Sequence, residues 1–261
     1  MARWRLLGWL VSGFLLGFLV TSLSSRHHPD GRLIVGGTGS TLSVVLLLSG
    51  RTIIVGGGTA PNEVVELVDR STLPWRRPYD LLILPGWDTT HLPGALSLVE
   101  RRAVDAVAVL GAPDRDPAWT ILERRARERR VTVHFVAVRS LLTLDRSTRL
   151  ELFPASDGTT ICLEVGALRI ALVDQRPNHP IGATCSTPIV LIAVRQSTLA
   201  SAPVLVRPRP QRATDLTSHA EREVLVSRGE AIELRVSEHE VRVPLRSIHE
   251  RATPPTIPST Q

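Results

Sequence analysis

An uncharged stretch from Leu6 to Leu23 restricts this chain more than any other feature of its sequence. Its 18 residues lie near the lower end of the range of about 17–25 residues that an apolar helix needs to cross a bilayer core. Arg3 and Arg5 precede the stretch and Arg26 follows it, a balance that favours a cytoplasmic N-terminus. We therefore predict a transmembrane anchor in residues 1–25 and a tether in residues 26–31. The protein would be a single-pass protein of the cell membrane with its folded domain outside the cytoplasm.

A cleaved signal peptide is the alternative interpretation of the same segment. Ser22 and Ser24 are small enough for a cleavage site, but the apolar run is longer than the apolar core of a usual signal peptide. Either interpretation exports the domain to an oxidising compartment, where Cys162 and Cys185 can form a disulfide. Cys162 also suits a simple buried position in a strand, so the sequence leaves the bridge open.

The chain has 261 residues, of which 43% are hydrophobic, enough for one large domain with a layered core. All 31 basic residues are arginine, and 25 acidic residues are interspersed among them, so the net charge of +6 does not by itself define a polyanion ligand. One basic cluster, at the end of a predicted helix, comprises Arg124, Arg125, Arg127, Arg129 and Arg130. The helix dipole favours cations there, which predicts a solvated helix end, with nucleic-acid contacts as the alternative.

Hydrophobic periodicity predicts an α/β domain followed by a β-rich half. The first half has a predicted hairpin, then alternating helices and strands: strands 42–48, 51–55, 80–84, 104–110 and 131–138, and helices 61–71, 91–102 and 116–130. The second half has predicted strands at 149–153, 159–165, 168–173, 189–194, 231–236 and 241–243, with a short helix near 218–227. Three prolines at 254, 255 and 258 predict a disordered tail over residues 247–261.

Three segments, in order and spacing, resemble the soluble C-terminal domain of ComEC-type DNA-uptake proteins. Residues 36–41, Gly-Gly-Thr-Gly-Ser-Thr, resemble that family's Val-Gly-Gln-Gly-Asp segment before an apolar strand. Residues 51–57, Arg-Thr-Ile-Ile-Val-Gly-Gly, resemble its Lys-Thr-Ile-Leu-Ile-Asp-Gly-Gly strand, and residues 79–84 resemble the strand that precedes its metal motif. The resemblance implies a metallo-β-lactamase-like domain over residues 32–246, a four-layer αββα sandwich preceded by the single transmembrane helix.

The chain departs from this family where the family binds metal. In place of the family's Thr-His-x-His-x-Asp-His, residues 85–91 read Pro-Gly-Trp-Asp-Thr-Thr-His. In place of a later histidine pair stand Arg195 and Gln196. Asp174 alone resembles the family's bridging aspartate. Asp88, His91 and Asp174 are therefore the residual metal set that the resemblance implies.

A hydrolytic zinc ion needs about three protein ligands and an open position for water, so we expect no catalytic residue, no metal and no other cofactor. The sequence predicts a non-catalytic binding module, held in the membrane by its N-terminal helix, with a role related to DNA uptake and a protein partner that the sequence does not identify. The first alternative is a divergent phosphodiesterase or nuclease with one zinc or manganese ion on Asp88, His91 and Asp174. The second is an electrostatic nucleic-acid binder that uses the cluster of five arginines.

Overall fold

Two eight-stranded sheets, here called sheets A and B, form the framework of the computed structural model. The structure describes residues 31–72, 79–86, 89–111, 117–155, 158–175, 185–195, 202–209, 220–243 and 248–249. The predicted anchor or signal peptide lies outside these residues, as does nearly all of the tether. No helix within the described ranges is long and apolar enough to cross a membrane.

Sheet A carries all three described helices. Its strand order is β15-β14-β1-β2-β3-β4-β5-β6, and β3, β4, β5 and β6 are parallel because a helix returns the chain after each of the first three. The strands are β1 (Gly31–Thr38), β2 (Thr41–Leu48), β3 (Arg51–Val55), β4 (Tyr79–Leu84), β5 (Val104–Leu110), β6 (Thr132–Val136), β14 (Ala231–Val236) and β15 (Val241–Arg242). The helices are α1 (Pro61–Ser71), α2 (Leu92–Arg101) and α3 (Pro117–Glu128).

Across sheet B the strands lie in the order β16-β13-β12-β11-β10-β9-β8-β7. Neighbours among β7, β8, β9 and β10 are antiparallel, as are β13 and β16, whereas β10, β11, β12 and β13 run parallel to one another. The strands are β7 (Ser140–Thr143), β8 (Thr148–Ala155), β9 (Gly158–Val165), β10 (Leu168–Gln175), β11 (Val190–Ala193), β12 (Val204–Pro208), β13 (Arg222–Val226) and β16 (Ile248–His249).

Strand alternation divides the apolar side chains between two main cores. In β1, Leu33 and Val35 face the interior between the sheets, whereas Ile34 points outward beneath the helices. Side chains of β9, β10 and β11, including Leu163 and Ile170, fill the sheet B side of the same interior. The helices cover the outer core with their apolar faces. The predicted two-sheet sandwich is therefore confirmed.

Some predictions about the elements need correction. The predicted helix near 218–227 is wrong, because Arg222–Val226 forms β13, which pairs in parallel with β12. Val224 and Val226 alternate into the core between the sheets, and this burial outweighs helix propensity. Strand β16 pairs with β13 inside the predicted disordered tail 247–261 and beyond the predicted domain end at 246. The described helices cover sheet A only, so a fourth layer over sheet B is not among the described residues.

One link joins the two sheets at the end where β1, β3, β4, β5 and β6 begin, here called the basal end. The Ser49 hydroxyl, in the turn between β2 and β3, donates to the carboxylate of Asp145, in the turn between β7 and β8. The backbone amides of Ser147 and Thr148 donate to the same carboxylate. Burial raises the pKa of Asp145, but these hydrogen bonds outweigh it and lower the pKa to about 2. Asp145 therefore stays ionised while it fixes both turns.

A disulfide joins Cys162 in β9 to Cys185, which precedes β11. Their α-carbons are 5.6 Å apart and the two residues are 23 positions apart in the chain. The bridge thereby connects the antiparallel half of sheet B to the segment that leads into its parallel half. The question that the sequence left open is answered in favour of the bridge, and the described residues contain no free cysteine.

Loss of this disulfide should destabilise the domain. We expect Cys185→Ala, which leaves the buried Cys162 in place, to lower the free energy of unfolding by about 3 kcal/mol through the larger entropy of the unfolded chain. Denaturant unfolding followed by circular dichroism measures the change. Reductant should lower the stability of the wild type and leave Cys185→Ala unaffected. Two free thiols in unfolded, non-reduced wild-type protein would contradict the bridge.

Candidate functional site

The candidate site lies at the end of the sandwich opposite the basal end, where β4, β10 and β11 finish. His91 directly precedes α2, in the connection that follows β4. Asp174 is the penultimate residue of β10, and Arg195 comes two positions after β11. Sheet A thus supplies the histidine and sheet B the aspartate and arginine, so the cluster bridges the two sheets.

The carboxylate of Asp174 is shared between His91 and Arg195. The Nε2 atom of His91 lies 2.9 Å from Oδ2 of Asp174. Nε of Arg195 lies 2.5 Å from Oδ1, and its Nη2 donates to Oδ2 at 3.1 Å. Because an ionised carboxylate only accepts hydrogen bonds, Nε2 of His91 carries the proton. The side chains of His91 and Asp174 are 0% and 3% exposed, whereas that of Arg195 is 21% exposed.

Two opposing effects set the pKa of Asp174. Burial raises it, since a carboxylate loses hydration in the interior. The hydrogen bond from His91 and the charges of His91 and Arg195 lower it and outweigh burial, so the pKa of Asp174 lies below its ordinary value. The aspartate is therefore ionised at neutral pH, and the guanidinium of Arg195 is its permanent counter-charge.

Two glycines allow the start of α2 to lie against the loop that follows β3. A β-carbon on Gly57 would come within 1.9 Å of the backbone oxygen of His91, and one on Gly94 within 1.5 Å of the oxygen of Gly57. The Gly94 amide donates to the oxygen of Gly58 at 3.3 Å. A second main-chain hydrogen bond, from Leu42 to the oxygen of Val194 at 2.8 Å, joins the two sheets beside the cluster. The backbone therefore fixes the position of His91 relative to Asp174.

Sequence reasoning placed some of these residues correctly and missed one role. His91 and Asp174 were both predicted for a residual metal set, and the structure brings them together. Asp88, the third member of that set, lies outside the described residues. Arg195 was noted only as a replacement for a histidine, and its pairing with Asp174 was not predicted. One feature of the sequence could have indicated this pair: Asp174 resembles a metal-binding aspartate, but the histidines of that metal site other than His91 are absent, so a buried Asp174 needs another positive partner.

The predicted nucleic-acid cluster is far from this site. Arg124, Arg125, Arg127, Arg129 and Arg130 are all exposed, in the last turns of α3 and the turn before β6, which places them toward the basal end. Arg125 is bound by two carboxylates, at 3.1 Å from Glu100 and 2.9 Å from Glu128. The two candidate regions of the sequence therefore belong to opposite ends of the molecule.

Comparison with known proteins identifies the fold. No family model and no curated protein sequence matches the chain. The solved structure of the metallo-β-lactamase fold protein YhfI from Bacillus subtilis matches with a TM-score of 0.52 and 11% identity, over 78% of this chain and 99% of that one. This chain has the metallo-β-lactamase fold. Zinc-bound PqqB from Methylobacterium extorquens matches with a TM-score of 0.48 and 12% identity, over 65% of this chain and 71% of that one.

The metal that the resemblance implies does not suit the donors among the described residues, which do not include Asp88. Nε2 of His91 is engaged by Asp174, and Nδ1, which is buried and has no hydrogen-bond partner among the described residues, points to the other side of the ring. One ion therefore cannot contact Nδ1 and Asp174 together in this arrangement. Within the described ranges no three His, Cys, Asp or Glu side chains form a group able to hold a metal. The guanidinium of Arg195 adds a positive charge where an ion would need negative ones.

Neutralising Asp174 should destabilise the protein at neutral pH. We expect Asp174→Asn to lower the free energy of unfolding by about 2 kcal/mol, because the partly buried Arg195 loses its counter-charge. Chemical denaturation at pH 7 measures the loss. The control Glu66→Gln removes the carboxylate of the exposed Arg70 pair, whose side chains are 61% and 69% exposed, and should cost less than about 1 kcal/mol.

The same variant has a defined pH dependence. Because the folded pKa of Asp174 is lowered, its carboxylate stabilises the fold fully above the ordinary carboxyl pKa. This contribution disappears as the pH falls through the folded pKa. The stability difference between wild type and Asp174→Asn should therefore shrink toward acid, and a difference that grows toward acid would contradict the assignment.

Proposed function

We propose that the protein is a non-catalytic binding module of the metallo-β-lactamase fold, attached to the outer side of a cell membrane. The observation that carries the proposal is the Asp174–Arg195 pair. In it, a permanent side-chain cation neutralises the one aspartate that resembles the metal-bridging residue of ComEC-type domains. An aspartate neutralised in this way is a poor ligand for the cation that would lower the pKa of a bound water.

The resemblance to ComEC-type domains supports a role related to DNA uptake. It rests on residues 36–41, 51–57 and 79–84, which form the end of β1, the strand β3 with its following loop, and the strand β4. These segments end on the side of the molecule where His91 lies, and Gly56 and Gly57 approach His91 directly. A protein retaining this framework without the hydrolytic site is suited to hold a partner of the uptake machinery.

The disulfide supports the proposed location. Bridges persist in oxidising compartments and are rare in a reducing cytoplasm. The Cys162–Cys185 bridge therefore agrees with a domain exported through the apolar stretch 6–23. The anchor and the bridge are independent features of the chain, and both indicate the outer side of the membrane.

The full chain should bind no stoichiometric zinc or manganese and should not cleave DNA in a metal-dependent way, because the ligands for water activation are missing. Elemental analysis after purification and a cleavage assay on single-stranded and duplex DNA test this. The matched variants are His91→Ala and Arg195→Ala. One metal atom per chain, with cleavage that disappears in His91→Ala, would instead establish the one-metal hydrolase. Metal uptake by Arg195→Ala alone would identify the guanidinium as the group that excludes the ion.

The topology proposal predicts that the full-length protein sediments with membranes and resists extraction by alkaline carbonate, because an 18-residue apolar helix holds it in the bilayer. External protease should digest the domain in spheroplasts. The control is a cytoplasmic protein, which must survive the same treatment. Recovery of a soluble protein that begins near Ser25 would instead support the cleaved signal peptide.

A further inference from the structure

The basal end carries exposed arginines that no acidic side chain neutralises. Arg51 begins β3, Arg101 ends α2, and Arg129 and Arg130 precede β6. All four are exposed, and within the described part of the chain none of them forms an ion pair. Arg101 donates to the amide oxygen of Asn62. The dipoles of α2 and α3 favour cations at their ends, but Arg51 lies in a hairpin and has no such reason to be basic.

The opposite end differs in its charge pattern. Arg139, Arg195 and Arg228 lie there, and each contacts a carboxylate, that of Glu151, Asp174 or Glu63 respectively. The described arginines that lack a carboxylate partner are therefore grouped at the basal end.

A cleft at the basal end has the size and chemistry to take an anionic head group. Its volume is about 390 Å³. It is lined by residues 99–105, from the end of α2 to the start of β5, and by Arg129, Arg130 and Val131. Arg101, Arg129 and Arg130 bring positive charge to its walls. Among the other charged residues of the lining, Arg102 is paired with Asp69, Glu100 is bound by Arg125, and Asp105 is an exposed carboxylate. Three arginines that lack an acidic partner among the described residues therefore face one such carboxylate. A phosphate group fits such a pocket through charge-assisted hydrogen bonds.

The chain enters the domain at this same end. Gly31 starts β1, and β1 runs in the same direction as β3, β4, β5 and β6, so Gly31 lies at the same end of sheet A as the arginines, two strands away from β3. Only residues 24–30 separate the apolar stretch from Gly31. Seven extended residues span at most about 25 Å, so an anchored domain cannot move far from the membrane surface.

From these observations we infer that the basal end docks on anionic phospholipid head groups, with Arg51, Arg101, Arg129 and Arg130 as its contacts. The inference rests on the anchor in the proposed function. A basic residue near an anionic membrane surface strengthens binding by about fivefold, and this attraction is screened by salt. Docking would orient the domain so that His91, Asp174 and Arg195 face away from the membrane.

Hydrogen exchange of the full chain in lipid nanodiscs tests the docking. We expect amides of residues 101–105 and 127–132 to exchange at least about fivefold more slowly in discs with about 30% phosphatidylglycerol than in phosphatidylcholine discs. The protection should disappear in about 0.5 M salt. It should also disappear in a variant that combines Arg51→Gln, Arg101→Gln, Arg129→Gln and Arg130→Gln. The control Arg228→Gln, at the opposite end, should keep it, and thermal unfolding confirms that both variants are folded.

Other outcomes are informative. Equal exchange in the two lipids would overturn the docking while leaving the anchor intact. Protection in phosphatidylcholine discs on addition of a DNA duplex, without protection by anionic lipid, would replace it with nucleic-acid binding. If carbonate releases the chain, the anchor is wrong. Salt-sensitive sedimentation with anionic vesicles, lost in the combined variant, would then still support docking, and its absence would overturn docking too.

Discussion

The charge of Asp174 is the constraint on which the arrangement of this end of the molecule depends. A carboxylate that is 3% exposed is tolerated only with partners, and it has two: a hydrogen bond from His91 on sheet A and the guanidinium of Arg195 on sheet B. The same interaction therefore satisfies a buried charge and joins the two sheets. In a metal enzyme an ion performs both tasks. Here side chains of His91 and Arg195 perform them.

The parallel strands give the sandwich two different ends. The strands end near the cluster around Asp174. They begin after helix ends and a hairpin that carry exposed arginines. Each end has its own link between the sheets, the His91–Asp174 pair at one and the Ser49–Asp145 pair at the other. The helical connections make the strands parallel, and the parallel strands place different residues at the two ends of the molecule. If the chain is anchored through Gly31, the basal end faces the membrane and the Asp174 end faces away from it.

Local patterning was sufficient to predict most of the strands and all three helices, because alternation and helical spacing record which face of each element is buried. It failed at residues 222–226, where Val224 and Val226 enter the core and Glu223 lies on the other face, buried and paired with Arg207. This pattern is too short to separate strand from helix. The Asp174–Arg195 pair could not be derived from spacing, since its members meet only because β10 and β11 are parallel neighbours. The absence of most of the expected histidines can be seen in the sequence, whereas the pairing of Arg195 with Asp174 depends on tertiary contacts.

Gly56 leaves no room for a side chain next to His91. Its φ of 82° lies in a backbone region that side chains rarely adopt, and a β-carbon there would lie 3.7 Å from Nδ1 of His91 and 3.2 Å from the oxygen of Leu42. An acidic residue in place of Gly56 would therefore enter a strained and already filled space. The wall that limits this space includes main chain, the oxygen of Leu42, which cannot turn aside as the end of a flexible side chain can. A redesign that aims to add a carboxylate beside His91 would therefore have to rebuild the loop after β3 rather than exchange one side chain.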